Sequence, residues 1–439
     1  MESALSPAHV APRVAETVSF REALRFWLKL GFISFGGPAG QIAIMHEYVV
    51  ERRRWLDEER FLHSLNYCML LPGPEAQQLA TYIGWLLHGV RGGLVAGGLF
   101  VLPSVFMLLG LSWAYVEYGT IPAVAGLLYG LKPAVVAIVL GALLKIGEKA
   151  LKTPLHLTVA VLSFLALFLG HFPFPIVVFG ALLLGLLVQR WYPAWLGLPQ
   201  STFRANAPQT GPEVRRQWPR RIGKALLVAL GLWVIPVVVA GVVTGDWSFW
   251  WQLTRFFSTA ALVTFGGAYA VLPYVAQVAV EQFHWLTRLQ MVDGLALGET
   301  TPGPLIMVLT FVGFMGAWQH GGHSVAWGAA GLFLTTFYTF LPSFLFIFIG
   351  APLVERTRQD ARVKAALSVV TAAVVGVILN LGIYLGQAVV WPRGIQAAPD
   401  WFSLLWVVLS VLALRWGKVN LILWIGVSAL AGLVYFWLF

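Results

Sequence analysis

The sequence predicts an all-α polytopic membrane protein made of two inverted-topology repeats whose helices are broken and re-entrant. Three observations carry that expectation. Of 439 residues, 59% are hydrophobic and only 11% are charged, against roughly a quarter charged in soluble domains. Many apolar runs reach the roughly 20 residues that a helix needs to cross the hydrocarbon, and none shows the weak alternation of an outer-membrane barrel strand. Finally, a long stretch of the chain recurs at a constant offset of 230 positions.

Residues 1–19 read as a polar N-terminal cytoplasmic tail. They lack the basic, apolar and small-residue order of a cleaved signal, so the first apolar segment is expected to direct insertion. Residues 20–190 form the first repeat. Within it "RFWLKLGFISFGGPAGQI" from Arg25 answers "RFFSTAALVTFGGAYAVL" from Arg255, Trp55-Leu56 answers Trp285-Leu286, and Pro72-Gly73-Pro74 answers Pro302-Gly303-Pro304. "FVLPSVF" from Phe100 answers "FLPSFLF" from Phe340 after a small insertion. Residues 191–249 join the copies. The first part, to about Lys224, carries Arg204, Arg215, Arg216, Arg220 and Arg221 among several prolines and reads as an irregular basic cytoplasmic loop. One unduplicated apolar run follows, near 225–243, and residues 250–439 form the second repeat.

An odd extra span between two copies turns the second upside down, and the loop charges agree. In the first copy "ERRRWLDEER" and "KIGEKALK" are basic while the turns near Tyr118 and Gly170 lack Lys and Arg. In the second copy the basic loops are "ERTRQDARVK" and the Arg415/Lys418 turn, so the orientation rule gives the halves opposite senses. The same rule separates the 51–60 loop from the Tyr118 turn if residues 61–88 are a re-entrant hairpin bent at PGP; a like argument makes 26–50, bent at FGGP, re-entrant, and the second copy adds hairpins at FGGA and PGP. That leaves nine spans, four per copy and one between; ordinary kinked helices are the alternative for some of the bends.

Irregular backbone at membrane depth is tolerated only when it is buried in protein or lines a polar cavity. Gly36, Gly37, Gly73, Gly266, Gly267 and Gly303 permit sharp reversals. Pro38, Pro74 and Pro304, with Pro72 and Pro302 on the near side of two bends, suit the first turn of a returning half-helix. Such half-helices aim free N–H groups and a positive dipole end inward, which makes an anion site. The plainer use of Gly and Pro, to kink and pack helices, stays open.

The stretches "FGGPAGQIA", "WLDEERFLHSLNYCMLLPGPEAQQLATYIGW" and "FVLPS" in the first half, with "TFGGAYAVLPYV" and "LALGETTPGPLIMVLTFVGF" in the second, resemble the chromate ion transporter family in its long two-domain form. The resemblance covers nearly the whole chain outside the tail and linker. It implies a multi-pass carrier of the plasma (inner) membrane that exports chromate and confers resistance; some relatives resemble carriers of other oxyanions, so a sulfate permease or exchanger is the alternative.

Several polar residues stand within apolar surroundings. Glu75 follows the first PGP and Glu299 precedes the second; each suits either a proton-coupling site or a carboxylate capping backbone N–H groups. Lys132 lies near mid-span and is the best cation for an oxyanion, with pairing to Glu75 or Glu299 as the alternative. Gln77, Gln78, Asn66, Thr300 and Thr301 offer hydrogen bonds to a tetrahedral oxyanion or between helices. Arg25 and Arg255 suit anion attraction or headgroup anchoring.

The single cysteine, Cys68, excludes an internal disulfide, and His320 and His323 have no further ligands near them, so neither a metal nor a cofactor is expected. No nucleophile–base set points to an enzyme. The net charge of +10 sits mostly in loops flanking apolar runs, which predicts contact with the lipid bilayer and not with nucleic acid. The expected partners are chromate, with sulfate as the alternative, and lipid; the sequence leaves a homodimer open.

Overall fold

The structure, a computed structural model, describes residues 18–35, 37–197, 212–265, 267–354, 361–417 and 419–438. Most of the N-terminal tail, Arg204 of the linker, Lys418 and two break glycines, Gly36 and Gly266, lie outside the described residues. Most of the described residues are helical, with no strand among them.

The first half runs through α1 (Phe20–Ile33), α2 (Gly37–His46), α3 (Glu58–Cys68), α4 (Glu75–Tyr118), α5 (Pro122–Ala150), α6 (Pro154–Phe168) and α7 (Phe174–Trp191). After α8 (Pro212–Thr244), the second half runs through α9 (Trp247–Leu262), α10 (Ala268–Ala276), α11 (Arg288–Thr300), α12 (Val308–His320), α13 (Val325–Val354), α14 (Ala361–Val390), α15 (Trp401–Arg415) and α16 (Leu421–Leu438). The expected irregular loop is corrected in its second part. Helix α8 already begins at Pro212, a residue suited to a first helical turn, so Arg215, Arg216, Arg220 and Arg221 lie on helical backbone.

Local detail repeats between halves. A single π-helical turn follows α2 at Glu47–Arg52 and α10 at Gln277–Gln282. Arg54 and His284 then take positive φ, 52° and 53°. Asp57 caps α3 and Thr287 caps α11, each accepting from the backbone N–H three residues on. Each of these pairs is 230 positions apart.

Helix α4 is folded in two. His88 (φ −139°, ψ 24°) and Gly89 (φ 63°, ψ −156°) are non-helical. A Cβ on Gly84 would lie 2.5 Å from the Gly92 carbonyl oxygen, and one on Gly97 would lie 2.8 Å from Gln77 Nε2. Residues 77 and 97 would stand about 30 Å apart on a straight helix. The arms 75–87 and 90–118 are therefore antiparallel, and small residues let them touch backbone to backbone. Helices α12 and α13 repeat this hairpin, with Gly331 against the Gly313 carbonyl. Substituting Gly97 by leucine is expected to overpack this seam against Phe344 and Gln77, at about 1–3 kcal/mol. Gly98→Leu, where a Cβ meets open space, serves as the neutral control; thermal unfolding in detergent compares the two.

Seven helices among the described residues are long and apolar enough to cross a membrane, and the chain is a polytopic membrane protein. Helices α6 and α15, expected as full spans, have 15 residues each. At 1.5 Å per residue each reaches about 22 Å, short of a hydrocarbon core of about 30 Å. Helix α5 packs on α15 and α16 of the other half, while α14 packs on α6 and α7, and α5 and α14 pack on each other. A given face of one half thus meets the complementary face of the other in both directions, as across a twofold axis. Close approach again relies on small residues: Gly130 meets Ser428 and Gly432, and Gly376 meets Ala160.

At the α8–α9 turn Asp246 caps α9 by accepting from Phe249 N at 3.0 Å, and His320 Nε2 of α12 lies 2.6 Å from its other oxygen. The Phe249 N–H and then His320 hold the Asp246 carboxyl below its usual range. A depressed carboxyl stabilises the fold above its unfolded pKa and loses that contribution as pH falls through the folded value. The melting temperature of Asp246→Ala should therefore lie below wild type near neutral pH and converge with it on acidification below the ordinary Asp value of about 3.9.

Candidate functional site

The four breaks meet in two pairs, each joining one half to the other. Helix α1 ends at Ile33, where the Ser34 hydroxyl turns back to donate to Leu30 O at 2.6 Å; α9 ends alike, with Thr264 donating to Ala260 O at 2.6 Å. Past these residues Gly37 (φ 75°) and Gly267 (φ 99°) open α2 and α10. At the other two breaks Gly73 (φ 119°) and Gly303 (φ 99°) use backbone that side-chain-bearing residues rarely adopt.

Gly73 N donates to Thr264 O at 2.7 Å, and Gly303 N donates to Ser34 O at 2.8 Å. Around them, Ser104 Oγ donates to Pro302 O, and Gln78 Nε2 donates to Pro72 O at 2.7 Å and to Ser343 Oγ at 3.3 Å. Gln41 Nε2 donates to Gly303 O at 2.6 Å and to Ser34 O at 3.2 Å. Positions 34 and 264, 73 and 303, and 104 and 343 are equivalent, so the two backbone bonds are reciprocal and each serine stands beside the break glycine of the opposite half.

This clasp corrects part of the anion-site expectation. The amides of Gly73 and Gly303 are spent on carbonyls of the opposite half, because a buried N–H needs a partner and the facing break supplies one. Pro74 and Pro304 precede their helices as caps, since the chain is still extended there, and Pro304 leads into a single 3-10 turn, Leu305–Met307, before α12. Pro38 does lie in the first turn of α2. What stays open is the N-terminal turn of α4 and of α10, neither of which has a side-chain cap. Beside Gly37 and Gly267 a Cβ would meet nothing within 4 Å.

The hydrogen-bonding residues named from sequence are largely committed. Gln77 Nε2 donates to Thr81 Oγ1 at 3.0 Å, Thr300 to Leu297 O at 2.8 Å and Thr301 to Gly298 O at 2.9 Å. Gln41, Gln77 and Gln78 are fully buried, and their Oε1 atoms meet no protein donor. Asn66 is exposed on α3, and Arg25 and Arg255 are exposed on α1 and α9, roughly 13 Å along each helix from its break.

The charged groups fall in three places. Glu75 opens the first turn of α4 beside the Gly73 break. Glu299 accepts from Tyr269 OH at 2.6 Å, so its partner is a phenol on α10 and not a backbone N–H. Lys132 pairs with neither glutamate. Its Nζ lies 3.4 Å from Asp293 Oδ1, whose other oxygen accepts from Tyr115 OH at 3.0 Å. Sequence reasoning missed Asp293, Tyr115, Gln41, Ser104 and Ser343. A usable signal existed for three of them: Asp293 is an acid in an apolar run, and the two serines occupy the same place in the repeated LPS motif.

Comparison with known proteins adds the following. Residues 21–186 and 251–433 match a family model described as Chromate transporter. A Chromate transport protein of Pseudomonas aeruginosa is 31% identical over 445 residues, covering 99% of this chain and 98% of its own. A Chromate transport protein of Cupriavidus metallidurans is 29% identical over 434 residues, covering 98% and 96%. A shorter Bacillus subtilis protein, the uncharacterized transporter YwrB, is 31% identical over 152 residues, 34% of this chain and 76% of its own. No solved structure matches the chain.

Proposed function

This chain belongs to the chromate transporter family, and we propose that it is a secondary carrier that exports chromate from the cytoplasm across the inner membrane. The membrane potential supplies the drive. A dianion leaving a negative-inside cell gains about 4–5 kcal/mol per 100 mV, equivalent to a gradient of around three decades. In this reading the two halves are oppositely inserted repeats, 20–190 and 250–439, the linker is cytoplasmic, and substrate binds where the breaks meet.

The observation that supports the reading most is the reciprocal clasp. It ties each break of one half to a break of the other inside the protein, and broken helices enclosed by protein are the setting in which carriers bind ions. This reading assigns the amides and positive dipole ends to the uncapped first turns of α4 and α10, the space to Gly37 and Gly267, and the charge to Lys132. Glu75 and Glu299 flank the breaks as candidate proton sites. Chromate flux in sealed vesicles at an imposed potential, with and without a pH step and with sulfate as competitor, tests it. Saturable chromate flux that follows the potential supports the reading; flux of sulfate alone, or no flux under any gradient, overturns it. Dependence on the pH step that Glu299→Gln removes identifies proton coupling.

A further inference from the structure

The break geometry leaves unexplained an ionisable cluster on α4, α5 and α11, in which Lys132 and Tyr115, both part-buried, meet the buried Asp293. Lys132 stands on α5 of the first half and Asp293 on α11 of the second, so their pair is an ionic link between the halves. Asp293 is 5% exposed and Lys132 is 19% exposed, which makes the lysine the reachable member. The separation of 3.4 Å is long for a charge-assisted bond, normally about 2.7–2.9 Å, and Asp293 Oδ1 meets no hydrogen-bond donor. Its Oδ2 is held by Tyr115 at 3.0 Å. The carboxylate is thus tethered on one oxygen and loosely engaged on the other. Phe311 of α12 adds apolar surface beside it, meeting Gly294 and packing edge-on against Tyr115.

Among the described residues the ion-pair partner of Lys132 is Asp293. An ammonium already neutralised by a carboxylate attracts a dianion poorly, and a dianion beside that carboxylate is repelled. Two anions beside one ammonium repel each other, so each weakens the other's hold on Lys132. We propose that Asp293 is an internal competitor for the substrate: its carboxylate holds Lys132 in the absence of substrate and yields the ammonium to an oxygen of a tetrahedral oxyanion when one binds. Tyr115 keeps the released carboxylate in place. Release also cuts the ionic link between α5 and α11, so binding is tied to a change in how the two halves hold each other. Asp293 is a positioning residue in this scheme, and the proposal rests on the reading of Lys132 as the substrate's cation.

Equilibrium binding of chromate to the purified full-length protein tests it. Asp293→Asn should bind chromate about tenfold more tightly than wild type, the size of a typical coupling between mutually exclusive partners. Asp293→Glu, which keeps the charge, should bind no tighter than wild type. Unchanged or weaker binding by folded Asp293→Asn overturns the proposal. Lys132→Met should lose saturable binding with or without Asp293→Asn; retained binding there overturns the Lys132 reading itself, so the two failures are distinguishable. A second measurement needs no variant: an apolar carbodiimide should label Asp293 in wild-type protein faster with chromate present, because the carboxyl is then released. Slower or equal labelling of Asp293 with chromate overturns the proposal.

Discussion

Gly303→Ala should be strongly destabilised, with a marked loss of folded protein and of transport. Two costs act together. Gly303 sits at φ 99°, and a side chain there costs roughly 1–2 kcal/mol. A Cβ would also run into the Ser104 hydroxyl, which is itself committed to Pro302 O, so the clash falls on a group that is not free to turn away. Overpacking of this kind adds about 1–3 kcal/mol. The sum is a large share of a typical stability of about 5–15 kcal/mol. Gly37→Ala separates the two, because Gly37 has φ 75° and open space beside it and carries the backbone cost alone. Melting temperature in detergent, measured for both variants and for Gly303→Ala combined with Ser104→Gly, reads the difference. Equal stability of the two single variants would show that the clasp is not close-packed.

Lys132→Met is the second large effect, and it acts in two ways. Removing the ammonium leaves Asp293 buried with only Tyr115 as partner, and breaking a buried ion pair costs about 3–5 kcal/mol. Removing it also takes away the positive charge assigned to the substrate. Combining Lys132→Met with Asp293→Asn removes both charges and should recover most of the melting temperature, since an uncharged pair leaves no lone ion. Transport should not recover with it. A double variant that folds and carries chromate at the wild-type rate would assign Lys132 a purely structural role.

The break positions were legible from residue type and spacing. Gly and Pro punctuate apolar runs at equal offset in both halves, and the helices do stop at Ile33, Cys68, Leu262 and Thr300. Lys132 was legible as an intramembrane charge, yet its partner was not. Both candidate partners from sequence sat close to the PGP motifs, whereas Asp293 stands nine positions before Pro302. Which acid a lysine reaches depends on how α5 and α11 lie side by side, and no pattern along either helix records that. The PGP amides show the same limit: the sequence exposes them as unsatisfied donors, and only the facing half shows what satisfies them.

The amino-acid order alone determined the class, the duplication and the places where helices break. These follow from local physics: apolar length against bilayer thickness, and the backbone freedom that Gly has and Pro lacks. Tertiary structure decided that the break of one half is closed by the other, that α4 folds back at His88 and Gly89, and that Lys132 meets Asp293. Those outcomes depend on packing between segments hundreds of residues apart, where a glycine's missing side chain matters only because of what approaches it.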